Sequence, residues 1–247
     1  MRKPLKLNAT KLKHIAMPSD KTSSQLPFDL VHETAVQRED LIESPANATA
    51  INMIDAWPNW PGQLTILAGP VGSGKSHIGS VWQELSQATK TQSSNLNSEL
   101  SELISIAENG GNILLEDAGE NSLDETALFH LFNAVKQGGS YCLVTARTWP
   151  TQWNVTLPDL ASRLKAAQLI ELQEPDDMLL KLVMMKLFSD RQVSVDEKVL
   201  DYCVVRMERS LASAANLVAE IDAEALSRKT SVSKATAASA LSKLNMI

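Results

Sequence analysis

Apolar residues follow two rhythms along this chain, and the change of rhythm divides it. Between residues 62 and 174, short apolar runs at Leu64–Ala68, Ile113–Leu115, Tyr141–Thr145 and Leu169–Leu172 alternate with segments of helical period. Runs of this length bounded by turn residues predict fully buried strands. The segments at about 76–88, 97–107 and 124–136 predict helices, the last capped by Asp124 and ended by Gly138-Gly139. Strand, helix, strand at this spacing requires right-handed crossovers and therefore a parallel sheet. A further helix is expected near Ala46–Trp57, stopped by Trp57-Pro58 and Trp60-Pro61. After Pro175 only the helical rhythm remains. Residues 176–247 hold no glycine and no strand pattern, and helices are expected at about 177–189, 196–206, 210–227 and 233–244. The pattern thus predicts an α/β body over 31–174 and a small all-α domain over 175–247, joined at Glu174-Pro175.

Residues 1–24 follow neither rhythm and end in a polar run, so a disordered tail is expected there. Gln25-Leu26-Pro27-Phe28-Asp29-Leu30 then stands alone as a short apolar and polar alternation. Charge sharpens this division. The 247 residues carry a net −6, but residues 1–25 carry +5 and the rest carry −11. A body that acidic is poorly suited to grip a nucleic-acid backbone by itself. Only two cysteines are present, Cys142 and Cys203, both in apolar stretches, which excludes a disulfide scaffold or a four-cysteine metal site and predicts buried thiols. His14, His32, His77 and His130 have no metal-ligand spacing, and packing accounts for Trp57, Trp60, Trp149 and Trp153 as well as a partner surface does. No stretch approaches the ~20 apolar residues of a membrane span, and the N-terminus lacks a secretory apolar core. A cytoplasmic protein without a membrane partner is expected. The basic start is read as a tail, or as an extension ahead of a start at Met17.

The chemistry concentrates in Gly69-Pro70-Val71-Gly72-Ser73-Gly74-Lys75-Ser76, which fits G-x-x-x-x-G-K-[ST] at every fixed position. Its glycines let the backbone curl so that successive N–H groups face phosphate oxygens. Lys75 reaches the β- and γ-phosphates, and Ser76 offers a hydroxyl to Mg²⁺ at the start of a helix. A buried strand before and a helix after supply the required context, so ATP or ADP with Mg²⁺ is the expected ligand. A second apolar strand ends in Glu116-Asp117, where P-loop enzymes hold the metal's water shell and orient an attacking water. Either Glu116 serves the metal in place of the commoner Asp, or Asp117 does and no base remains; both readings predict slow hydrolysis. Thr145, at the end of the next strand, is either an ordinary strand-end residue or a hydroxyl that senses the γ-phosphate or positions water. Arg163, just before the last strand, is either a solvated helix residue or an arginine finger.

These pieces in this order, with a helical lid, resemble the AAA+ module. Arg38–Asn47 ahead of the loop, Leu114-Leu115-Glu116-Asp117 and Pro158–Leu164 narrow the resemblance to the DnaA-related AAA+ family over about residues 26–245. The resemblance implies a P-loop AAA+ parallel sheet with flanking helices followed by a small all-α lid. It also implies nucleotide contacts from Leu41, Ile42 and His77 beside the loop. The sequence holds no basic helix-turn-helix segment after the lid, and Gln25-Leu26-Pro27-Phe28-Asp29-Leu30 is similar to the clamp-docking peptide of the shortened Hda-type regulators, with Phe28 at the central position. In such a peptide Gln25 hydrogen-bonds in one pocket while Leu26, Phe28 and Leu30 are apolar anchors. The implied role is negative regulation of replication initiation. The protein gathers on the β sliding clamp, meets DNA only through it, and stimulates hydrolysis of DnaA-bound ATP with Arg163 supplied in trans, with Thr145 and Asp117 as further catalytic candidates. Self-association is left open, as are an autonomous ATPase or loader and a scaffold with a vestigial site. One departure matters: the lid position for a sensing arginine aligns on Ser213, leaving Arg206 and Arg209 as substitutes.

Overall fold

The computed structural model describes residues 38–119 and 123–246. The expected tail, the Gln25–Leu30 peptide and the first residues of the body lie outside the described residues. Five strands, β1 (Leu64–Ala68), β2 (Thr89–Gln92), β3 (Ile113–Ala118), β4 (Cys142–Ala146) and β5 (Gln168–Glu171), form one sheet in the order β2-β3-β4-β1-β5. Every pairing is parallel, as the alternation of strands and helices requires. Successive strand residues point to opposite faces, and each face has its own cover. Leu67, Leu114, Leu143 and Ile170 pack under α1 (Ala48–Asp55) and α2 (Lys75–Ser86). Ile66, Ile113, Leu115 and Val144 pack under α3 (Leu96–Glu108), α4 (Glu125–Gly138) and α5 (Pro158–Ala166). Fully burying one such side chain contributes roughly 1.5–3 kcal/mol.

Two elements, β2 and α5, are absent from the expectation drawn from the sequence. Strand β2 reads Thr-Lys-Thr-Gln, carries no apolar run and sits at the sheet edge, where burial asks little of it. Helix α5 has nine residues with Pro158 in its first turn and buries only Leu160 and Leu164. The tryptophans largely resolve as packing. Trp60 stacks on Trp82 at 5.1 Å, Trp57 meets both edge-on, and the Trp153 ring donates its N–H to the Thr148 carbonyl. Both cysteines are buried, and desolvation pushes the Cys142 thiol up to about 12.

Helix α4 crosses α3 closely at its C-terminal end. A Cβ added at Gly138 would lie 1.9 Å from the Ala107 carbonyl oxygen, a backbone atom that cannot step aside. Gly138→Ala is therefore expected to destabilise the protein by about 2 kcal/mol or more, as overpacking does, and a denaturant melt checks this.

The last four helices, α6 (Asp177–Asp190), α7 (Glu197–Val204), α8 (Leu211–Arg228) and α9 (Lys234–Lys243), enclose a separate core around Leu180, Phe188, Leu200, Leu217 and Leu241. They are separated without glycine because each begins at a side-chain cap. Asp176, Asp196, Ser210 and Ser233 accept N–H bonds from Leu179, Lys198, Ser213 and Thr236, each cap contributing about 1 kcal/mol. Between α8 and α9 the buried Glu224 carboxylate takes Lys243 at 2.7 Å and the Ser239 hydroxyl at 2.9 Å. Lys243 and then Ser239 hold its pKa below the usual carboxylate value. A depressed carboxylate adds stability above its unfolded pKa and loses it as pH falls through the folded one. Acid should therefore loosen the α8–α9 pair, and Glu224→Gln should flatten the acid limb of the stability profile.

Candidate nucleotide site

The loop Gly69–Gly74 connects the end of β1 to the head of α2, so it lies at the C-terminal edge of the parallel sheet, the edge where ligands of open α/β sheets bind. Gly69 N–H donates to the Ala146 carbonyl at 3.1 Å, tying the loop to the end of β4. Lys75 is buried, and its ammonium donates to the Gly69 and Pro70 carbonyls at 2.7 Å each. No side chain caps α2, whose N-cap is Gly74 in the left-handed region, so the side chains leave its first amides open to an anion. The Ser73 hydroxyl is buried without a hydrogen-bond partner, Ser76 is exposed at the helix head, and Val71 is 65% exposed at the loop tip.

Beside the loop, β3 and β4 bring the expected acids and hydroxyl together. Thr145 lies on the α2 face, where a Cβ on Gly79 would be 3.7 Å from its methyl. Its hydroxyl oxygen accepts the Asp117 N–H at 3.1 Å. Asp117 sits at φ +57, where the β3–β4 register shifts between Leu115 and Ala118; a short polar side chain tolerates that region better than most. Glu116 is 3% exposed. Its Oε2 takes the Lys90 ammonium at 2.6 Å and the Gln92 amide at 2.9 Å, while its Oε1 is buried with no hydrogen-bond partner.

A second cluster flanks the head of α2. The turn at Arg38–Asp40 precedes Leu41 and Ile42, both half-buried, and Asn47 fixes this segment by donating to the Ile42 carbonyl and accepting the Ser44 N–H. Asp40 pairs with Lys186 of α6 at 2.8 Å. Both charges act on half-buried His77, whose pKa is lowered chiefly by burial.

The lid touches the loop through the head of α8. Leu211 N–H donates to the Gly72 carbonyl at 2.8 Å. Gly72 has φ +77, and a Cβ there would lie 2.1 Å from the Ser210 hydroxyl and 2.5 Å from its Cβ. Gly72→Ala should thus both strain the loop and push α8 away, lowering stability by about 1–3 kcal/mol and weakening nucleotide affinity; melts with and without ADP check both. At the aligned sensing position, the Ser213 hydroxyl bonds Glu208 at 3.0 Å. Arg206 lies over the Tyr202 ring at 3.9 Å, and Arg209 holds Asp177 at 2.7 Å and the Pro175 carbonyl at 3.1 Å. Both arginines are therefore engaged within the lid side of the chain.

Arg163 lies elsewhere. It is half-buried on α5, hydrogen-bonded to Asn133 and set 5.2 Å from the Phe129 ring centroid, both on α4. That is the sheet face opposite α2. The residues missed from the sequence are Lys90, Gln92, Ser210 and Leu211. The first two required strand β2 to be recognised, and the last two required the lid docked on the loop.

Among the described residues no three His, Cys, Asp or Glu side chains gather as a metal site, and no helix is long and apolar enough to cross a membrane. No protein-family model and no curated protein matches the sequence. Solved structures do. The fold is similar to domain III of the Thermotoga maritima replication initiation protein DnaA, with TM-score 0.72 and 17% identity over 84% of this chain and 96% of that one. It is also similar to AMPPCP-bound DnaA from Aquifex aeolicus, with TM-score 0.66 and 16% identity over 78% and 68% of the two chains. The Thermotoga maritima RuvB Holliday junction branch migration motor gives TM-score 0.65 and 16% identity over 81% and 68%. Likeness at these identities establishes fold: the chain is a parallel α/β sheet with flanking helices followed by a small all-α unit, an arrangement similar to that of DnaA domain III and RuvB.

Proposed function

We propose that this chain binds ATP or ADP at Gly69–Ser76 and acts as an Hda-type negative regulator of replication initiation. It would be recruited to the β sliding clamp through Gln25, Leu26, Phe28 and Leu30, and would stimulate hydrolysis of DnaA-bound ATP. In this reading residues 31–174 are the nucleotide-binding body and 175–247 the lid. The observation that carries it is the position of Arg163 on the sheet face opposite α2. Its separation from α2 by the sheet supports service to a neighbouring molecule's phosphates rather than to those bound by its own chain.

The chain's own nucleotide would be held rather than rapidly turned over. Lys75 would exchange the Gly69 and Pro70 carbonyls for β- and γ-phosphate oxygens, and the first amides of α2 would complete the cradle. Leu41, Ile42 and His77 would flank the nucleoside. Mg²⁺, where bound, would neutralise phosphate charge. Exposed Ser76 fits its need for a hydroxyl and Asp117 is the acid left beside it, since the Glu116 carboxylate, the other candidate, is already paired with Lys90 and Gln92. Slow turnover is supported by Ser213 at the lid's sensing position and by the engagement of Arg206 and Arg209 elsewhere. DNA would be met through the clamp, in keeping with the −11 of residues 26–247. The test is clamp binding by surface plasmon resonance. Gln25→Ala should abolish it while leaving the stabilisation by ADP unchanged; undiminished clamp binding would remove Gln25–Leu30 from the mechanism.

A further inference from the structure

We propose that Lys90 is a built-in counter-cation for Glu116, making nucleotide binding by this chain nearly independent of Mg²⁺. The inference rests on the nucleotide reading and concerns how that site handles charge. Strand β2 pairs with β3 in the register Lys90 with Leu114 and Gln92 with Glu116. In a parallel ladder, matched residues share a face, so Lys90 and Gln92 stand on the same side of the sheet as Glu116. Both donate to one oxygen, Oε2, at 2.6 and 2.9 Å.

The pair is asymmetric. The Glu116 side chain is 4% exposed and that of Lys90 is 35% exposed. Only the carboxylate has lost its water, and a desolvated anion depends on its partner far more than the partner depends on it. Lys90 has little to lose from the pair, while Glu116 is held by it. A divalent cation approaching Oε1 would therefore meet a carboxylate whose charge is already compensated by an ammonium on its other oxygen. Attraction to the acid and repulsion from the lysine largely cancel over these distances. The anion-binding work then falls to Lys75, the loop amides and the head of α2, none of which needs a metal.

The experiment titrates a fluorescent ADP analogue into the full chain in excess Mg²⁺ and in EDTA. Wild type should bind with dissociation constants within about threefold of each other. Lys90→Met, which keeps the stem and removes the charge, should bind about tenfold more tightly with Mg²⁺ than without (~1.4 kcal/mol). Lys90→Arg should restore the wild-type profile. If Lys90→Met does not fold because Glu116 is left buried and unpaired, Glu116→Gln in the wild-type background decides. It should leave the small Mg²⁺ effect unchanged, and loss of a large one would show that Glu116 serves the metal despite its lysine. A wild-type chain that loses nucleotide in EDTA as strongly as Lys90→Met overturns the inference alone. Failure of wild type to bind the analogue in either buffer overturns the nucleotide reading itself.

Discussion

Arg163→Ala is expected to leave the fold and ADP binding intact and to lower the stimulated hydrolysis of DnaA-bound ATP by ~10³-fold or more, the range an arginine finger supplies. The side chain is half-buried, and its contacts are few: the Asn133 hydrogen bond and the Phe129 ring. A contact of that kind is worth about 0.5–1 kcal/mol, so the folded state should hardly notice the loss. To act in trans, the guanidinium must leave Asn133 and reach a neighbour's phosphates. Arg163→Lys should fail almost as badly, because an ammonium lacks the planar fork that spans two phosphate oxygens. Single-turnover hydrolysis by DnaA reads both variants. Undiminished stimulation by Arg163→Ala would assign the finger to another residue.

Lys75→Ala should abolish nucleotide binding. At 100 times its dissociation constant, a bound nucleotide stabilises a protein by roughly 2.7 kcal/mol, which for a chain of this size raises the melting temperature by about 5–11 °C. Wild type should show that shift with ADP and the variant should show none. Each protein is compared with its own melt without nucleotide, because Lys75 is buried and holds the Gly69 and Pro70 carbonyls of its loop. A nucleotide shift retained in the variant would mean that the loop amides suffice without the ammonium.

The sequence revealed elements in proportion to how much they bury. Leu64–Ala68 and Cys142–Ala146 are almost wholly enclosed and read as unbroken apolar runs; the cap Asp124 read as a helix start. Thr89–Gln92 did not read as a strand, because an edge strand is held by main-chain bonds to β3 and its Lys90 and Gln92 face polar partners. The same blindness hid the chemistry around Glu116. The pair Glu116-Asp117 was legible as a strand-end acid pair, but its neutralisation by Lys90 is a contact between residues 26 positions apart in sequence, and no local pattern announces it. Ser213 showed itself by alignment with a resemblance, whereas the docking of Leu211 on Gly72 is a main-chain bond to which side chains give no clue. Arg163 was legible as a candidate, but its Asn133 and Phe129 partners depend on how α5 lies across α4.

The central claim is that this chain acts on a neighbour's ATP at the clamp, and hydrolysis of radiolabelled ATP held by DnaA tests it most directly. The assay compares DnaA alone, DnaA with this chain, and DnaA with this chain and a clamp loaded on DNA. The account predicts that hydrolysis accelerates only in the last mixture and that Gln25→Ala abolishes the acceleration. A rate identical in all three mixtures would contradict it.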